Sequence, residues 1–190
     1  MTRIHKGALV FVSVLLVFAL AGCDFFGFEY QVGDIGPGGG IIFFVDSSNN
    51  FPGWTYLEAA PLETEFASLP WGLNGVDINI SPGTNLGDGS RNTNAIVSAH
   101  GTLSNAARST RQLVHNGLND WYLPSRDELQ LMYEVLYSNG LGDFASGNYW
   151  SSSFGSSNGR GVVFSFNTGS WFFSSDRATQ RRVRAIRRFL

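Results

Sequence analysis

An α+β domain is what this 190-residue sequence predicts, and three observations carry the prediction. A strongly specified helix start lies at Ser125, with Glu128 three residues later, ahead of a single apolar face made by Leu129, Met132, Tyr133 and Leu136. Short apolar or alternating runs occur on both sides of it and are separated by Gly-, Asn- and Ser-rich turns, the pattern of short antiparallel strands. Two main helices with several short antiparallel strands argue for α+β.

The chain opens as a targeting segment. Arg3 and Lys6 form a basic start, and residues 8–20 form an apolar stretch that falls short of the roughly 20 residues needed to span a bilayer. It ends in Leu20-Ala21-Gly22-Cys23, which reads as a bacterial lipobox, with cleavage before Cys23 and acylation of its thiol. Cys23 is the one cysteine of the chain, and lipid attachment supplies a reason for a lone thiol in an oxidising compartment. The expected organisation is a signal peptide at 1–22, a lipidated tether at 23–32 carrying Phe25, Phe26, Phe28 and Tyr30, and one domain at 33–190. The protein is therefore expected to be exported and anchored to a bacterial membrane by lipid. The outer membrane or cell surface is favoured, although Asp24 after the acylated cysteine resembles an inner-membrane retention signal.

The elements follow in order. Gly36-Pro37-Gly38-Gly39-Gly40 is a tight turn and not a phosphate loop, because neither a Gly-Lys-Ser/Thr sequence nor a helix pattern follows it. Residues 41–45 (Ile-Ile-Phe-Phe-Val) form a buried strand, Asp46–Gly53 a polar turn, and Trp54–Ala59 a second strand. Pro61–Asn92 reads as loop; Asp77, Asn79, Asn85 and Asp88 offer oxygen ligands there, but their spacing is not that of an EF-hand. Ca²⁺ is thus the one cofactor the sequence leaves open, and no other is expected. Thr93–Ala99 and Ser104–His115 read as helical pieces broken near Gly101, with Ser104 as the second cap. Trp121-Tyr122-Leu123 forms a short bulky run expected to dock beside the Ser125-capped helix, which Asn139-Gly140 stops. Tyr149–Ser153 is a strand with Trp150 in the core. Residues 162–166 alternate in the manner of a half-buried strand, and Asn167-Thr168-Gly169 turns the chain back through Ser170–Ser174. Arg182–Arg188 is the final strand.

Several of these segments together resemble the bacterial Lcl C-terminal domain family, formerly a domain of unknown function. They are Trp121 to Leu129 (Trp-x-Leu-Pro-Ser-x-x-Glu-Leu), Tyr149-Trp150-Ser151-Ser152, Val183-Arg184-Ala185-Ile186-Arg187, and the openings at 33–44 and 53–61. The resemblance spans roughly residues 31–190. It implies a C-type-lectin-like fold related to the formylglycine-generating-enzyme group. In that fold the first and last strands lie together and the loop-rich second half, here about 148–182, presents a binding face.

Charge is uneven along the chain. From Asp24 to Asp176, fifteen acidic residues face five arginines; beyond lie six arginines and no acid. A basic tail can signal nucleic acid, but an exported protein is not expected to meet it. Two readings stay open: the arginines pair with the acidic body, or they meet an anionic polysaccharide through the planar guanidinium fork. Catalysis is not expected. After cleavage only His100 and His115 remain among histidines, Cys23 is consumed by acylation, and no nucleophile–base pair can be placed. A binding role fits better. The candidate ligand-binding residues are Asn158, Arg160, Trp171, Phe172, Asp176 and Arg177, on the 170–174 strand and its flanking turns. Alternation would put Trp171 and Phe173 on one side and Phe172 on the other, one side core and one an exposed platform. The expected partner is a glycan or polyanionic polysaccharide bound in adhesion, or alternatively an envelope or host protein.

Overall fold

The computed structural model describes residues 29–81, 83–155 and 160–190. The domain is α+β, with eight strands in two sheets and three α-helices among the described residues. In chain order these are β1 (Ile41–Val45), β2 (Tyr56–Ala59), β3 (Phe66–Leu69), α1 (Asp88–His100), α2 (Ala106–Arg111), α3 (Arg126–Val135), β4 (Asn148–Phe154), β5 (Gly161–Ser165), β6 (Ser170–Ser174), β7 (Arg181–Val183) and β8 (Ile186–Phe189). The first sheet has the order β1-β2-β8 and is antiparallel throughout. The second has the order β3-β7-β4-β5-β6, with β4 and β7 parallel and every other pair antiparallel.

The capped helix forms as its sequence dictates. Ser125 Oγ accepts from the Glu128 N–H at 3.3 Å, and Glu128 Oε2 accepts from the Ser125 N–H at 2.7 Å, which completes the capping box. Leu129, Met132 and Leu136 are fully buried against Phe43, Tyr149, Phe164 and Phe166. The run before the cap docks as a bridge to the last strand: Tyr122 and Ile186 exchange N–H···O bonds of 2.8 and 3.0 Å.

Five sequence expectations change. The long final strand divides at Arg184-Ala185, so that β7 belongs to one sheet and β8 to the other. The first and last strands share a sheet, but β2 lies between them. Helix α1 starts at Asp88 and not at Thr93, and β3 occupies what reads as loop. The inner face of α1 is Gly89, Asn92, Thr93, Ile96 and His100, helical in spacing but polar, so apolar periodicity does not show it. Asn92 and Thr93 are satisfied in place, whereas His100 bonds the Ile96 carbonyl through Nδ1 and its Nε2 has no partner among the described residues. Asn92 Nδ2 donates to Gly83 O at 2.7 Å, and Thr93 Oγ1 donates to Gly89 O at 2.8 Å and accepts from the Leu123 N–H at 3.1 Å. Finally, α2 is capped by Asn105, whose Oδ1 accepts from the Arg108 N–H at 2.9 Å, and it ends at Arg111. Of the expected tether, Tyr30 packs edge-on against Tyr56 and Phe189.

Two buried carboxylates tie the arginine-rich tail to the body. Glu65, with a side chain 4% exposed, receives Arg184 Nη2 at 2.7 Å, Arg182 Nη1 at 2.9 Å and the Tyr149 hydroxyl at 3.1 Å. Glu58, with no exposure, receives Arg187 Nη1 at 3.2 Å and the N–H groups of Gly38 and Gly40 at 3.2 and 2.8 Å. The glycine turn is therefore a wrapper around a buried anion. A Cβ at Gly38 would meet Trp121 and Glu58, and one at Gly40 would meet the Ala59 carbonyl. Arg187 also makes paired bonds of 2.9 Å to both oxygens of Asp120. Of the two readings of the tail, pairing with the acidic body describes Arg182, Arg184 and Arg187.

Two measurements follow. Arg184→Met removes the buried cation opposite Glu65 and should cost about 3–5 kcal/mol, read as a lowered urea midpoint. Glu128 is the other test. Burial pushes its carboxyl up to about 7 from 4.5, against donors at Ser125, Gly87 and Tyr122. A folded-state value above the unfolded one means that the native state holds more protons between those two pH values. Stability should therefore fall as pH rises from about 4.5 to about 7 and level off above, by on the order of 3 kcal/mol. Urea titrations across that range should show the slope in the wild type and a flatter one in Glu128→Gln.

Candidate functional site: the β6 edge

The hairpin from β5 to β6 turns at Gly169, whose φ of +64° is the left-handed conformation glycine takes without strain. Among the described residues β6 pairs only with β5 and is an edge of the second sheet. In register, Trp171 stands opposite Phe164, Phe172 opposite Val163, and Phe173 opposite Val162. Alternation holds, but it does not send one side into the core. Trp171, Phe172 and Phe173 are 42%, 40% and 43% exposed. The buried rows on both faces stop at β5, where Val162, Val163 and Phe164 are all covered, so the next strand outward is open on both sides.

Each of the three rings carries a guanidinium. Arg126 lies 5.0 Å from the Trp171 ring centre, Arg160 lies 5.1 Å from Phe173, and Arg181 lies 5.5 Å from Phe172. Trp171 and Phe173 also touch edge to face at 5.7 Å. Such stacking contributes about 0.5–1 kcal/mol at an exposed site. Among the described residues neither Arg160 nor Arg181 has a carboxylate within ion-pair distance, whereas Arg126 Nε meets Asp127 Oδ1 at 2.6 Å. Arg181 is also stacked on Trp150 at 4.9 Å, its Nε is buried without an acceptor, and burial lowers its pKa.

The sequence-predicted site residues divide three ways. Arg160, Trp171 and Phe172 come together on this edge. Asp176 is exposed but serves its own turn, accepting from Asn74 Nδ2, the Ala178 N–H and the Thr179 hydroxyl at 3.0 Å each. The Asn74 amide and the other two donors hold its carboxyl below the ordinary value. Arg177 points inward. It is 2% exposed, stacks on Trp71 at 5.2 Å and donates through Nη2 to the Val76 carbonyl at 2.9 Å, and burial lowers its pKa. Asn158 and Cys23 lie outside the described residues.

Two members of the surface, Arg126 and Arg181, were not predicted from sequence. Arg126 had a signal: a cation in the first turn of a helix opposes the helix dipole, so its place invites a reason outside the helix. Arg181 had none beyond membership of a basic run.

The rest of the molecule offers less chemistry. A cleft of about 170 Å³ lies beside β1 and β2, lined by Gly40, Pro61, Leu62, Glu63, Asp143 and Arg184. Its guanidinium is already committed to Glu65 and to the carbonyls of Ala60 and Gly142. Of the oxygen ligands considered for Ca²⁺, Asp88 Oδ2 accepts from the Asn85 N–H at 3.0 Å at the start of α1. Among the described residues, no group of three His, Cys, Asp or Glu is placed to hold a metal. No helix among them is long and apolar enough to cross a membrane.

Compared with known proteins, the chain matches no family model, and no curated protein matches it.

The geometry has a spectroscopic consequence. Trp54, Trp71, Trp121 and Trp150 are 7% exposed or less, so acrylamide should quench one tryptophan of the five. Trp171→Phe should abolish that accessible component while leaving the unfolding midpoint within about 1 kcal/mol of wild type.

Proposed function

We propose that the protein is a surface or periplasmic lipoprotein whose domain is a C-type-lectin-like binding module, and that the β6 edge is its platform for glycans, sulfated polysaccharides above all. One observation carries the reading: three consecutive exposed aromatic rings, each capped by an arginine. A pyranose presents a C–H face that stacks on such rings, and a sulfate ester accepts bidentate hydrogen bonds from a guanidinium fork. The work is binding, without bond making. The lipid anchor at Cys23 and the kinship with the Lcl C-terminal domain rest on the sequence motifs; the α+β architecture, with β8 returning to the N-terminal sheet, is compatible with that kinship.

A second reading is favoured by a different feature of the same strand. Among the described residues the outer edge of β6 has no neighbouring strand, and an extended segment of an envelope or host protein could add to it by main-chain hydrogen bonds.

The deciding experiment places protein lacking its first 23 residues on a glycan array that includes sulfated polysaccharides, repeated in high salt and with chelator. Binding that weakens with salt, and at least tenfold with Trp171→Ala or Arg160→Gln, is expected; Arg177→Gln should act through stability rather than contact. Binding lost on chelation instead would relocate the site to the acidic loops. Silence across the array would defeat the glycan reading and leave the protein-partner reading standing.

A further inference from the structure

A second place in the fold has the chemistry of an anion site, and it stands apart from β6. Ser90 in the first turn of α1, Arg111 at the end of α2, Trp121 before α3, and Arg188 on β8 line one cleft of about 170 Å³, together with Asp120 and Tyr122. Four separate elements thus converge on one hollow, which is room for several waters or one small ion.

The groups around it are donors with capacity to spare. Arg111 uses one nitrogen, Nη1, on the Asn119 carbonyl at 3.1 Å, and Arg188 uses its Nη1 on the Gly87 carbonyl at 3.3 Å. Among the described residues neither guanidinium has a carboxylate within ion-pair distance. The one acid in the lining, Asp120, has both its oxygens taken by Arg187 at 2.9 Å, a guanidinium it shares with Glu58. Trp121 adds a different kind of indication. It is fully buried, and its indole Nε1–H meets no acceptor. A buried donor left unpaired is costly, and Trp121 is one of the residues that line the cleft.

We propose that this cleft binds a tetrahedral oxyanion, sulfate or phosphate, with Arg111 and Arg188 supplying the charge and Ser90 and the Trp121 indole the neutral donors. The ion is either free or the ester group of a larger molecule; both present the same oxygens. The proposal does not depend on the β6 reading, since it shares no residue with it.

The test is a titration of the full chain, solubilised in a maltoside detergent that carries no phosphate. The readout is the indole Nε1–H resonance of Trp121, assigned by its loss in Trp121→Phe. The probes are inorganic sulfate, inorganic phosphate, glucosamine 6-sulfate and glucose 6-phosphate, with chloride at matched ionic strength as the reference. A saturable shift with the oxyanions and not with chloride is expected, weakened at least tenfold in Arg111→Gln and in Arg188→Gln. Both arginines are exposed, so these variants should fold, which an unchanged remainder of the spectrum would verify. Equal affinity for the inorganic ions and the esters would identify a free ion as the ligand; tighter binding of an ester would identify a larger molecule. No shift beyond that of chloride, or an equal response in wild type and both variants, would overturn the proposal.

Discussion

Two carboxylates sealed from water, Glu58 and Glu65, set the conditions the rest of the fold must meet. A lone buried charge is prohibitively expensive, so each must bring its cations with it. Glu65 draws Arg182 and Arg184 inward from 117 and 119 residues along the chain, and Glu58 draws Arg187 from 129 residues away. Arg184 and Arg187 lie on either side of Ala185, whose carbonyl accepts from the Ala60 N–H at 2.9 Å. That short stretch is where β7 leaves one sheet and β8 enters the other. The ion pairs therefore do more than neutralise each other: they pin the crossing between the sheets, and through Glu58 they fix the glycine turn ahead of β1.

How legible this was depended on what kind of signal each element uses. The Ser125 helix and β1 announce themselves because local chemistry and burial agree, a cap where a cap is needed and an apolar run where a strand is covered; the β5–β6 turn is legible from its glycine of positive φ, although β5 is buried on both faces where its alternation suggests one. The N-terminal turn of α1 is hidden because Gly89, Asn92 and Thr93 are chosen for partners distant in sequence, namely Gly83 and Leu123. Gly89 in particular is poor for a helix taken alone and necessary for this one, since a Cβ there would strike Glu128 and Tyr122. The β6 surface was half legible. The aromatic residues and their alternation could be read, but their exposure on both sides depends on where the covering rows end, which is a property of the sheet and not of the strand.

The arginines show the same division. A count along the chain gives a basic tail and suggests one function for it. In the folded molecule the tail residues serve different ends. Arg182, Arg184 and Arg187 are structural cations, Arg177 is buried over Trp71, Arg181 lies between Trp150 and Phe172, and Arg188 stands at the mouth of a cleft. Arg126 and Arg160, from the acidic part of the chain, join the exposed aromatic edge instead. Proximity in sequence was a poor guide because successive residues of a strand face opposite ways, and because β7 and β8 belong to different sheets.

The closure of both buried ion clusters by residues 182–187 has a consequence for how the chain comes into being. A polypeptide emerges from the ribosome amino end first, so Glu58 and Glu65 appear well before the cations they require. Until residues 182 and 184 are free Glu65 lacks its cations and β4 lacks β7, and until residue 187 is free Glu58 lacks its own and β2 lacks β8. The finished arrangement of the two sheets is therefore out of reach until the last part of the tail has emerged. That is a hazard for a chain released into a crowded cell. It is an advantage for one that must be threaded, still unfolded, through a narrow channel and collapse only on the far side.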